Sequence, residues 1–404
     1  MTWPTIPLRR LAVCLDGQRI PLNREQRAEM QGDVPYWGAG GVMDSVNKAI
    51  FNEPLVLLGE DGAPFFTPGK DVAYFIKGPS WINNHIHALR PMSCDARFLT
   101  YALNSVDYTN YITGATRDKL TQDDLKQIEV PNPPPEEQRR IADFLDAETA
   151  RIDQLCARRH SQISLLNERL HSIWADVIMS DGDQSAWVPI RRFITAITDG
   201  PFGSALTSSH YSDSGARVIR LGNLGRAEFR ATDAAYIPLE YFSELKRHEA
   251  RPGDLIVAGL GDQNHPLGRA CIVPDGLGPA IVKADCFRLR LDQSSILHEY
   301  AAWALSSPVV ADQVTSLARG STRARINLEV VREITIPSPS MKRQIDSVRT
   351  LHRTRTASEA VATRCRQQLD LLTERRQALI TAAVTGQFDV STASGRNVTD
   401  GVTA

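Results

Sequence analysis

The chain has 404 residues, of which 42% are hydrophobic and 23% are charged. This is the composition of an ordinary globular protein, and it excludes a collagen-like or wholly disordered chain. With 46 basic and 47 acidic residues the formal net charge is −1, so no overall positive field exists and any binding of nucleic acid must come from local basic groups.

The cysteine pattern and the distribution of apolar residues further limit the class of protein. None of the six cysteines forms a CxxC pair, which argues against a zinc ribbon or a thioredoxin-type site and favours reduced thiols. The opening MTWPTIPLRR lacks the apolar run of an export signal, and the chain contains no run of about 18 apolar residues. We expect a cytoplasmic protein that does not cross a membrane.

The first block of the chain is predicted to be a mixed domain over residues 1–135. It is rich in Gly, Pro and Asn and contains short β-prone runs such as EPLVLLGEDG and DVAYFIKGPSWINNHIHAL. Strands bounded by turn residues, together with one or two helices, are typical of an α/β or α+β domain.

A long amphipathic helix is predicted over residues 136–180. Prolines and two glutamates in PNPPPEEQ precede and open it, and both suit the start of a helix. Apolar residues then recur at helical spacing. The residues assigned to a seam for a partner helix are Ile141, Leu145, Ile152, Leu155, Leu166 and Ile173. The polar residues 181–186 are predicted to be a linker.

The second half of the chain has the same organisation. The runs ARVIRLGNL, GDLIVAGLG and RACIVPDG, followed by a helical stretch, predict a second mixed domain over residues 187–340. A second long helix is predicted over residues 341–386, with Gly386 as its C-terminal cap. Its seam residues are Ile345, Leu351, Leu372 and Leu379. The small polar residues 387–404 are predicted to be disordered.

Each helix would be a rod of about 60 Å whose narrow apolar stripe needs a partner. We predict that the two helices pack against each other as an antiparallel coiled coil. The alternative is that they are independent surface helices of two separate cores.

An internal repeat relates the two halves. In one ungapped frame, which extends from residue 116 to residue 169, the matches include Thr116 with Thr322, Arg117 with Arg323, Pro131 with Pro337, Gln138 with Gln344 and Leu166 with Leu372. Upstream, IPLRRL at residues 6–11 is similar to VPIRRF at residues 188–193. The period is too long for a solenoid and indicates duplication.

The motifs that carry chemistry are incomplete. The NPP at residues 132–134 is similar to the start of the (D/N)PP(Y/F/W) loop of amino-methyltransferases, but Pro135 stands where that loop has the aromatic residue that stacks on the base, and a helix stop is favoured. His85 and His87 alternate on a predicted strand and share one face, yet no third metal ligand can be named. We predict no catalytic residue, no metal site and no cofactor bound by this chain.

Together with the duplication, several strings resemble the specificity subunits of type I restriction–modification systems. They are PPPEEQRRIADFLDAETARID, LLTERRQALITAAVTG, and YWGAGGV with LLGEDG and NNHIHAL. The resemblance extends from about Trp3 to Phe388. The opening of the second helix, MKRQIDSVRTLHR, departs from the family pattern and leaves the details of docking there open.

The resemblance implies a non-catalytic subunit with two target-recognition domains, each of which reads half of a split DNA site. The two helices would hold the domains apart and dock two modification (methyltransferase) subunits and, through them, the restriction subunits. S-adenosylmethionine, ATP and Mg would be bound by these partner subunits. Two readers on a rigid spacer should contact half-sites about one helical turn, roughly 34 Å, apart.

Candidate DNA contacts follow from position and chemistry. Cations at equivalent places in the two halves can anchor phosphates or guanine edges, but they can equally be solvated charges in a loop. The polar turn at residues 83–85 can read adenine or satisfy buried backbone. The complete set is Asn83, Asn84, His85, Arg117, Lys119, Ser204, Asn264, Arg319, Arg323 and Arg325.

Two other function classes stay open at this point. One is a self-contained DNA methyltransferase or nuclease with drifted motifs, which a methyl-donor binding test would separate from a recognition subunit. The other is a coiled-coil scaffold unrelated to DNA, which the near-neutral charge favours and the doubled Arg-bearing loops oppose. The bases recognised and the spacer length depend on loop geometry and do not follow from the sequence.

Overall fold

The structure of the protein is a computed structural model that describes residues 3–113, 118–183, 185–262, 264–318 and 324–391. The chain divides into two compact units. Unit 1 contains Met1–Ser161 and Arg364–Ala404, and unit 2 contains Gln162–Thr363. Each unit therefore includes part of both long helices, and each is built from more than one predicted segment. Of the tail predicted to be disordered, residues 387–391 are described, and Phe388 and Val390 pack in the core of unit 1. The residues from position 392 onward lie outside the described part of the chain.

The strands of unit 1 form two four-stranded sheets and two ribbons. They are β1 Thr5–Pro7, β2 Ala12–Cys14, β3 Val34–Gly38, β4 Gly41–Val46, β5 Phe51–Asn52, β6 Leu55–Gly59, β7 Ala73–Ile76, β8 Pro79–Ile82, β9 Ile86–Pro91, β10 Ile112–Thr113, β11 Lys119–Leu120 and β12 Glu129–Pro131. One sheet has the order β2-β9-β6-β7 and is antiparallel throughout. The other has the order β4-β3-β8-β5, with a parallel β3–β8 pair. The ribbons pair β1 with β12 and β10 with β11.

Three short helices and one long helix accompany these strands: α1 Arg24–Glu29, α2 Ala96–Asn104, α3 Gln122–Gln127 and α4 Pro135–Asp183. The carboxylate of Asp95 accepts the N–H groups of Arg97 and Phe98 and caps α2. The apolar face of α2 then joins the core formed by the antiparallel sheet, with Phe98 and Leu103 fully buried.

Unit 2 repeats the two four-stranded sheets and the ribbon of first and last strands, but the described residues show no counterpart of the β10–β11 ribbon. Its strands are β13 Trp187–Pro189, β14 Ile194–Thr198, β15 Ala216–Ile219, β16 Tyr236–Ile237, β17 Glu249–Ala250, β18 Leu255–Ala258, β19 Ala270–Ile272, β20 Ala280–Val282, β21 Cys286–Leu291 and β22 Thr335–Pro337. The antiparallel sheet is β14-β21-β18-β19, and the mixed sheet is β16-β15-β20-β17 with a parallel β15–β20 pair. The helices are α5 Leu239–Glu244, α6 His298–Leu305, α7 Pro308–Leu317, α8 Leu328–Glu333 and the long α9 Met341–Thr385.

The upstream similarity between residues 6–11 and 188–193 corresponds to a closing ribbon in each unit. β1 pairs with β12, with Ile6 opposite Val130, and β13 pairs with β22, with Val188 opposite Ile336. The start of each mixed block is thus hydrogen-bonded to its end, directly before the long helix. Each block is a closed domain for this reason.

The repeated glutamine is a buried polar anchor at the start of each long helix. Gln138 accepts the N–H of Asp95 and donates to the carbonyl of Pro133. Gln344 likewise accepts the N–H of Leu297 and donates to the carbonyl of Pro339. Both side chains are almost fully buried, so these hydrogen bonds are needed to offset the loss of water.

Within unit 1 the two long helices pack antiparallel. Ile141 and Leu145 of α4 share a buried cluster with Leu379 of α9, and Ile152 is also buried. Further along α4, Asp153 lies 3.7 Å from the guanidinium of Arg376. Next come Leu155 and Arg159 of α4, which face earlier residues of α9, including Leu372 and Gln368.

Unit 2 contains the other half of the pairing. Near the end of α4, Trp174 shares the core of the unit with Leu351 of α9. Leu166 and Ile173 face Arg353 and Val361 across a partly open groove. Residues later in α4 again lie opposite residues earlier in α9, so the two helices are antiparallel in this unit as well.

Two predicted seam residues lie on the exposed side of their helices. Ile345 is 43% exposed because the buried stripe of α9 follows Gln344, Val348 and Leu351, and Ile345 lies about 100° around the helix from Gln344. Leu155 is 36% exposed and comes after Ile152, the last buried residue of α4 within unit 1. Leu166, Ile173 and Leu372 are half-buried.

The predicted polar linker begins inside a helix. α4 continues to Asp183, and Asp181 is fully buried. A side chain at Gly182 would collide with the indole of Trp187, about 2.1 Å away. The Asp-Gly composition suggested a solvated linker, but this glycine provides space for Trp187 and this aspartate is an internal anchor.

No helix among the described ranges combines the length and the apolar character that crossing a bilayer requires.

Candidate nucleic-acid interface

Three chain segments meet at one end of the antiparallel sheet in unit 1. The N–H of Glu60, just after β6, donates to the carbonyl of His85, just before β9, at 3.0 Å. The N–H of Leu120 donates to the carbonyl of Glu60 at 2.7 Å, and the N–H of Gly62 donates to that of Asp118 at 3.2 Å. We call residues 59–62, 83–86 and 118–120 the apex of unit 1.

The same backbone arrangement occurs in unit 2. The N–H of Gly259 donates to the carbonyl of Asp285 at 2.7 Å, and the N–H of Ile326 donates to the carbonyl of Gly259 at 2.9 Å. The N–H of Gly261 donates to the carbonyl of Ala324 at 3.2 Å. Residues 258–262, 264, 283–286 and 324–326 form the apex of unit 2.

The unit 1 apex brings several predicted contact residues together. The ammonium group of Lys119 lies 3.5 Å from the carboxylate of Glu60, and Nδ1 of His85 lies 2.6 Å from Asp61. Asn84 is exposed beside them, whereas Asn83 is buried and its side-chain oxygen accepts the N–H of Asn84. Asn83 thus satisfies the turn backbone and does not point toward a ligand.

Arg19 is a member of this apex that the sequence did not reveal. Its guanidinium donates to Glu60 at 2.7 Å and to the carbonyls of Asn84 and Ile86 at 3.3 and 2.8 Å. It also lies 3.2 Å from Asp16. Because one side chain binds two of the three segments, Arg19 fixes the position of the turn at residues 83–86 relative to β6.

The unit 2 apex holds Arg325 at the place of Lys119. Its guanidinium donates to Asp285 at 3.0 Å, and both cations are about half exposed, with side-chain fractions of 59% for Arg325 and 50% for Lys119. Asn264 is exposed in the loop after β18. Ser204 is exposed as well, and it follows Gly200, whose missing side chain allows the backbone of Lys283 to approach.

A buried arginine also organises the unit 2 apex. Arg269 is 3% exposed and donates to backbone carbonyls on two loops, including those of Leu221, Leu224 and Leu260. Burial lowers the pKa of this guanidinium. Since its donors are used by carbonyls, Arg269 holds the loops and is not available to a ligand.

The remaining cationic candidates, Arg117, Arg319 and Arg323, lie outside the described residues. Arg117 and Arg323 come shortly before the described segments of the two apexes, and Arg319 follows α7 in sequence. Their role stays a prediction.

Cys14, Asp16 and His87 place three ligand-type atoms within 4.8 Å of one another. The arrangement is a hydrogen-bond network rather than a set of ligands. Nδ1 of His87 lies 2.7 Å from Asp16, and Nε2 lies 3.0 Å from the carbonyl of Leu120. Burial raises the pKa of the Cys14 thiol to about 11, and the guanidinium of Arg19 beside Asp16 would repel a metal cation.

In both apexes the exposed cation forms an ion pair: Lys119 with Glu60, and Arg325 with Asp285. Each exposed cation faces a carboxylate, in agreement with the near-zero net charge of the chain. An anionic phosphate can exchange for such a surface partner, because an exposed ion pair contributes only about 0–1 kcal/mol. The exposed amides, imidazole and guanidinium are also the groups that bind base edges.

Glu60 and Asp285, the acidic partners of Lys119 and Arg325, were not predicted from the sequence because the loops of the two apexes share little sequence. Glu60-Asp61-Gly62 in unit 1 corresponds to Gly259-Leu260-Gly261 in unit 2, and only the last glycine matches. The signal that could have found them is structural: in each half, a β-prone run ends shortly before a glycine-containing loop. Aligning runs by predicted strand rather than by identity would have placed these loops together.

Comparisons with known proteins give a consistent result. The sequence profile described as "Type I restriction modification DNA specificity domain" matches residues 7–164. A protein of Haemophilus influenzae named as the type I restriction enzyme specificity subunit S.HindORF215P is 24% identical over 371 residues, which cover 88% of each chain. The EcoBI specificity subunit of Escherichia coli is 20% identical over 294 residues, covering 67% of this chain and 60% of that protein.

Solved structures show the same fold. A chain from a structure of the type I R-M system, concerned with complex assembly and conformational transition, has a TM-score of 0.70 at 15% identity and covers 96% of this chain and 98% of its own. The HsdS subunit from Thermoanaerobacter tengcongensis has a TM-score of 0.51 at 16% identity, covering 96% and 97%. The predicted mixed fold, with two tandem domains and long helices, is confirmed.

Proposed function

Because the chain belongs to the specificity subunits of type I restriction–modification systems, we propose that its two apexes each read one half of a bipartite DNA site. Members of this family are DNA-recognition subunits without catalytic activity of their own. In this proposal the bases between the half-sites go largely unread, because no reader lies over them.

The paired helices α4 and α9 serve as the spacer and as the docking surface for two modification subunits. The restriction subunits join through these. S-adenosylmethionine, ATP and Mg bind to the partner subunits, which carry the methyl transfer and the cleavage. The complex acts in the cytoplasm, where its DNA substrate is found.

The observation that carries the proposal is the duplicated apex. Three backbone hydrogen bonds recur between equivalent segments in both units, and an exposed cation stands at the same place in each, Lys119 and Arg325. The bases differ between half-sites in this scheme because the side chains on the common backbone differ.

Reconstitution tests the proposal directly. The chain purified with modification subunits should methylate DNA at one split motif, identified by sequencing the methylated positions, whereas the chain alone should transfer no methyl group. Methyl transfer by the single chain, or a continuous motif with the complex, would contradict the proposal.

Single substitutions at the two apexes should separate the half-sites. Arg325→Ala should weaken binding through one half-site only, by about 1–3 kcal/mol if the guanidinium binds a guanine edge. If it binds phosphate, all sequences should weaken alike, and the slope of log K against log salt should become shallower by about one. Binding measured against duplexes altered in either half distinguishes the two cases.

Lys119→Ala provides the matched experiment in the other unit and should affect the other half-site. Arg349→Ala, at an exposed arginine of α9 that pairs with Asp346 of the same helix, is the control for loss of a surface cation. If both apex variants weakened the same half-site, the assignment of one reader to each unit would be wrong.

A further inference from the structure

The hairpin formed by β3 and β4 ends in a short glycine-containing turn. Ala39 and Gly40 connect the two strands, and Gly38 lies opposite Gly41 in the register. Gly41 has a φ of +119°, a backbone conformation that residues with a side chain rarely adopt. The turn is therefore tight, and the end of the hairpin is a narrow two-stranded ribbon.

This end of the hairpin adjoins the apex of unit 1. The N–H of Asn83 donates to the carbonyl of Trp37 at 2.9 Å. A Cβ atom at Gly59 would lie 3.3 Å from the carbonyl oxygen of Ala39, so the hairpin backbone comes close to the end of β6. The hairpin end is thus held against two of the three segments of the apex.

Two adjacent apolar side chains are exposed at the hairpin end. Val42 is 55% exposed and Met43 is 59% exposed. Val42 lies opposite Trp37 in the register, and Met43 lies over Gly38, where a Cβ atom would collide with its Sδ. The absence of a side chain at Gly38 therefore provides the space for Met43. Single exposed apolar residues are common on protein surfaces, but contiguous apolar groups beside a binding region indicate a contact surface.

The chemistry of this pair fits one group in the DNA major groove. The major groove admits a two-stranded β-ribbon, and thymine is the one base that presents a methyl group there. The side chains of valine and methionine donate no hydrogen bond to a phosphate or a base edge, but they can cover a methyl group. Burying one methyl group in such a contact strengthens binding by about fourfold.

From this placement we infer that Val42 and Met43 read thymine methyl groups in the half-site that unit 1 binds. The inference rests on the proposed function and adds a specificity determinant to it. Lys119 and the polar groups of the apex contact phosphates or polar base edges, whereas the hairpin end selects thymine over cytosine at the position that it covers.

Unit 2 has a different structure at the corresponding place. β15 corresponds to β3, and the carbonyl of Ile219 at its end accepts the N–H of Lys283 at 2.9 Å. Residues 220–235 follow instead of a short turn, and Arg220 is ion-paired with Asp233 within this segment. The large apolar side chains of the segment are buried or half-buried. We therefore expect methyl groups to be read in one half-site only.

The test removes one methyl group at a time from the DNA. The chain is assembled with modification subunits, and each thymine of its split methylation motif is replaced in turn by uracil, which lacks only the methyl group. At one or more thymines, all in the same half-site, uracil should weaken binding by about fourfold. In the double variant Val42→Thr with Met43→Gln the same uracils should have no effect, because the apolar partners of the methyl groups are gone.

Matched controls lie at the other end of the antiparallel sheet. β9 leads away from the apex, and Met92, directly after it, is 56% exposed. Val13 of β2, opposite Arg90 of β9, is 41% exposed. The double variant Val13→Thr with Met92→Gln makes the same chemical changes away from the apex, and it should retain the full effect of uracil.

Three results would overturn the inference while leaving the proposed function in place. The first is a split motif whose thymines all tolerate uracil, and the second is an effect of uracil that persists in the variant of Val42 and Met43. The third is loss of modification subunits from that variant, measured by light scattering, which would show that the pair docks protein. Absence of any split motif would overturn the proposed function, and the inference with it.

Discussion

A fragment of residues 1–183, which ends with α4, should form a symmetric dimer. In the full chain Ile141 and Leu145 are covered by Leu379 and neighbouring residues of α9, and the fragment lacks α9. Exposing such a stripe is unfavourable by about 1.5–3 kcal/mol for each large side chain, so a second copy has a strong reason to bind.

The repeat supplies the replacement residues. In the ungapped alignment Leu379 corresponds to Ile173 and Ile380 to Trp174, both in the second half of α4. An antiparallel pair of α4 helices can therefore cover each seam with the other copy's Ile173 and Trp174. Such isologous pairing closes on itself and stops at two copies.

Light scattering at a fragment concentration of roughly tens of micromolar should give twice the mass of one fragment. Leu145→Asp should give a monomer because it introduces a charge into the seam. Leu165→Asp should leave the dimer intact, since Leu165 is 60% exposed. With modification subunits the dimer should methylate an interrupted palindrome built from the first half-site. A monomeric fragment, or an asymmetric motif, would contradict the repeat-based pairing.

Replacement of Asp181 by Ala should strongly destabilise unit 2. Its carboxylate accepts from Nε of Arg343 at 2.5 Å, from the hydroxyl of Ser347 at 2.8 Å and from that of Tyr300 at 3.1 Å. Removing it leaves the buried hydroxyls without an acceptor and Arg343 without its counter-charge. We expect the free energy of unfolding to fall by about 3–5 kcal/mol.

Denaturant titration, followed by the fluorescence of Trp174 and Trp303, measures this loss, because the two indoles form a buried edge-to-face pair in unit 2. Asp181→Asn retains an acceptor and should cost less, about 1–3 kcal/mol. Asp346→Ala removes an exposed partner of Arg349 and should change the free energy of unfolding by less than about 0.5 kcal/mol. Equal effects of Asp181→Ala and Asp346→Ala would show that Asp181 is not an anchor.

Much of the architecture could be predicted because duplication and helical periodicity are visible in one dimension. The proline-rich strings before Gln138 and Gln344 predicted the start of both long helices. The similarity of residues 6–11 to residues 188–193 indicated duplication, but the strands that close each block there were not predicted. Ile345 and Leu155 were placed in the seam because an approximate spacing of three or four cannot separate a buried position from one about 100° away.

The candidate site was less predictable because its members are far apart in the chain. Lys119 and Arg325 were identified from their equivalent positions in the repeat, but their acidic partners Glu60 and Asp285 were not. These partners follow from backbone pairing between strands, and the local sequence of the two loops is dissimilar.

The amino-acid sequence by itself determined the duplication, the mixed class of each block and the two long helices, because these are properties of local periodicity and of internal similarity. Only the tertiary structure decided that a compact unit combines the start of one helix with the end of the other. It also decided that His87 is placed between two acceptors while Phe287 lies in an apolar core. The physical reason is that antiparallel helix packing and strand pairing bring together groups that are far apart in the sequence.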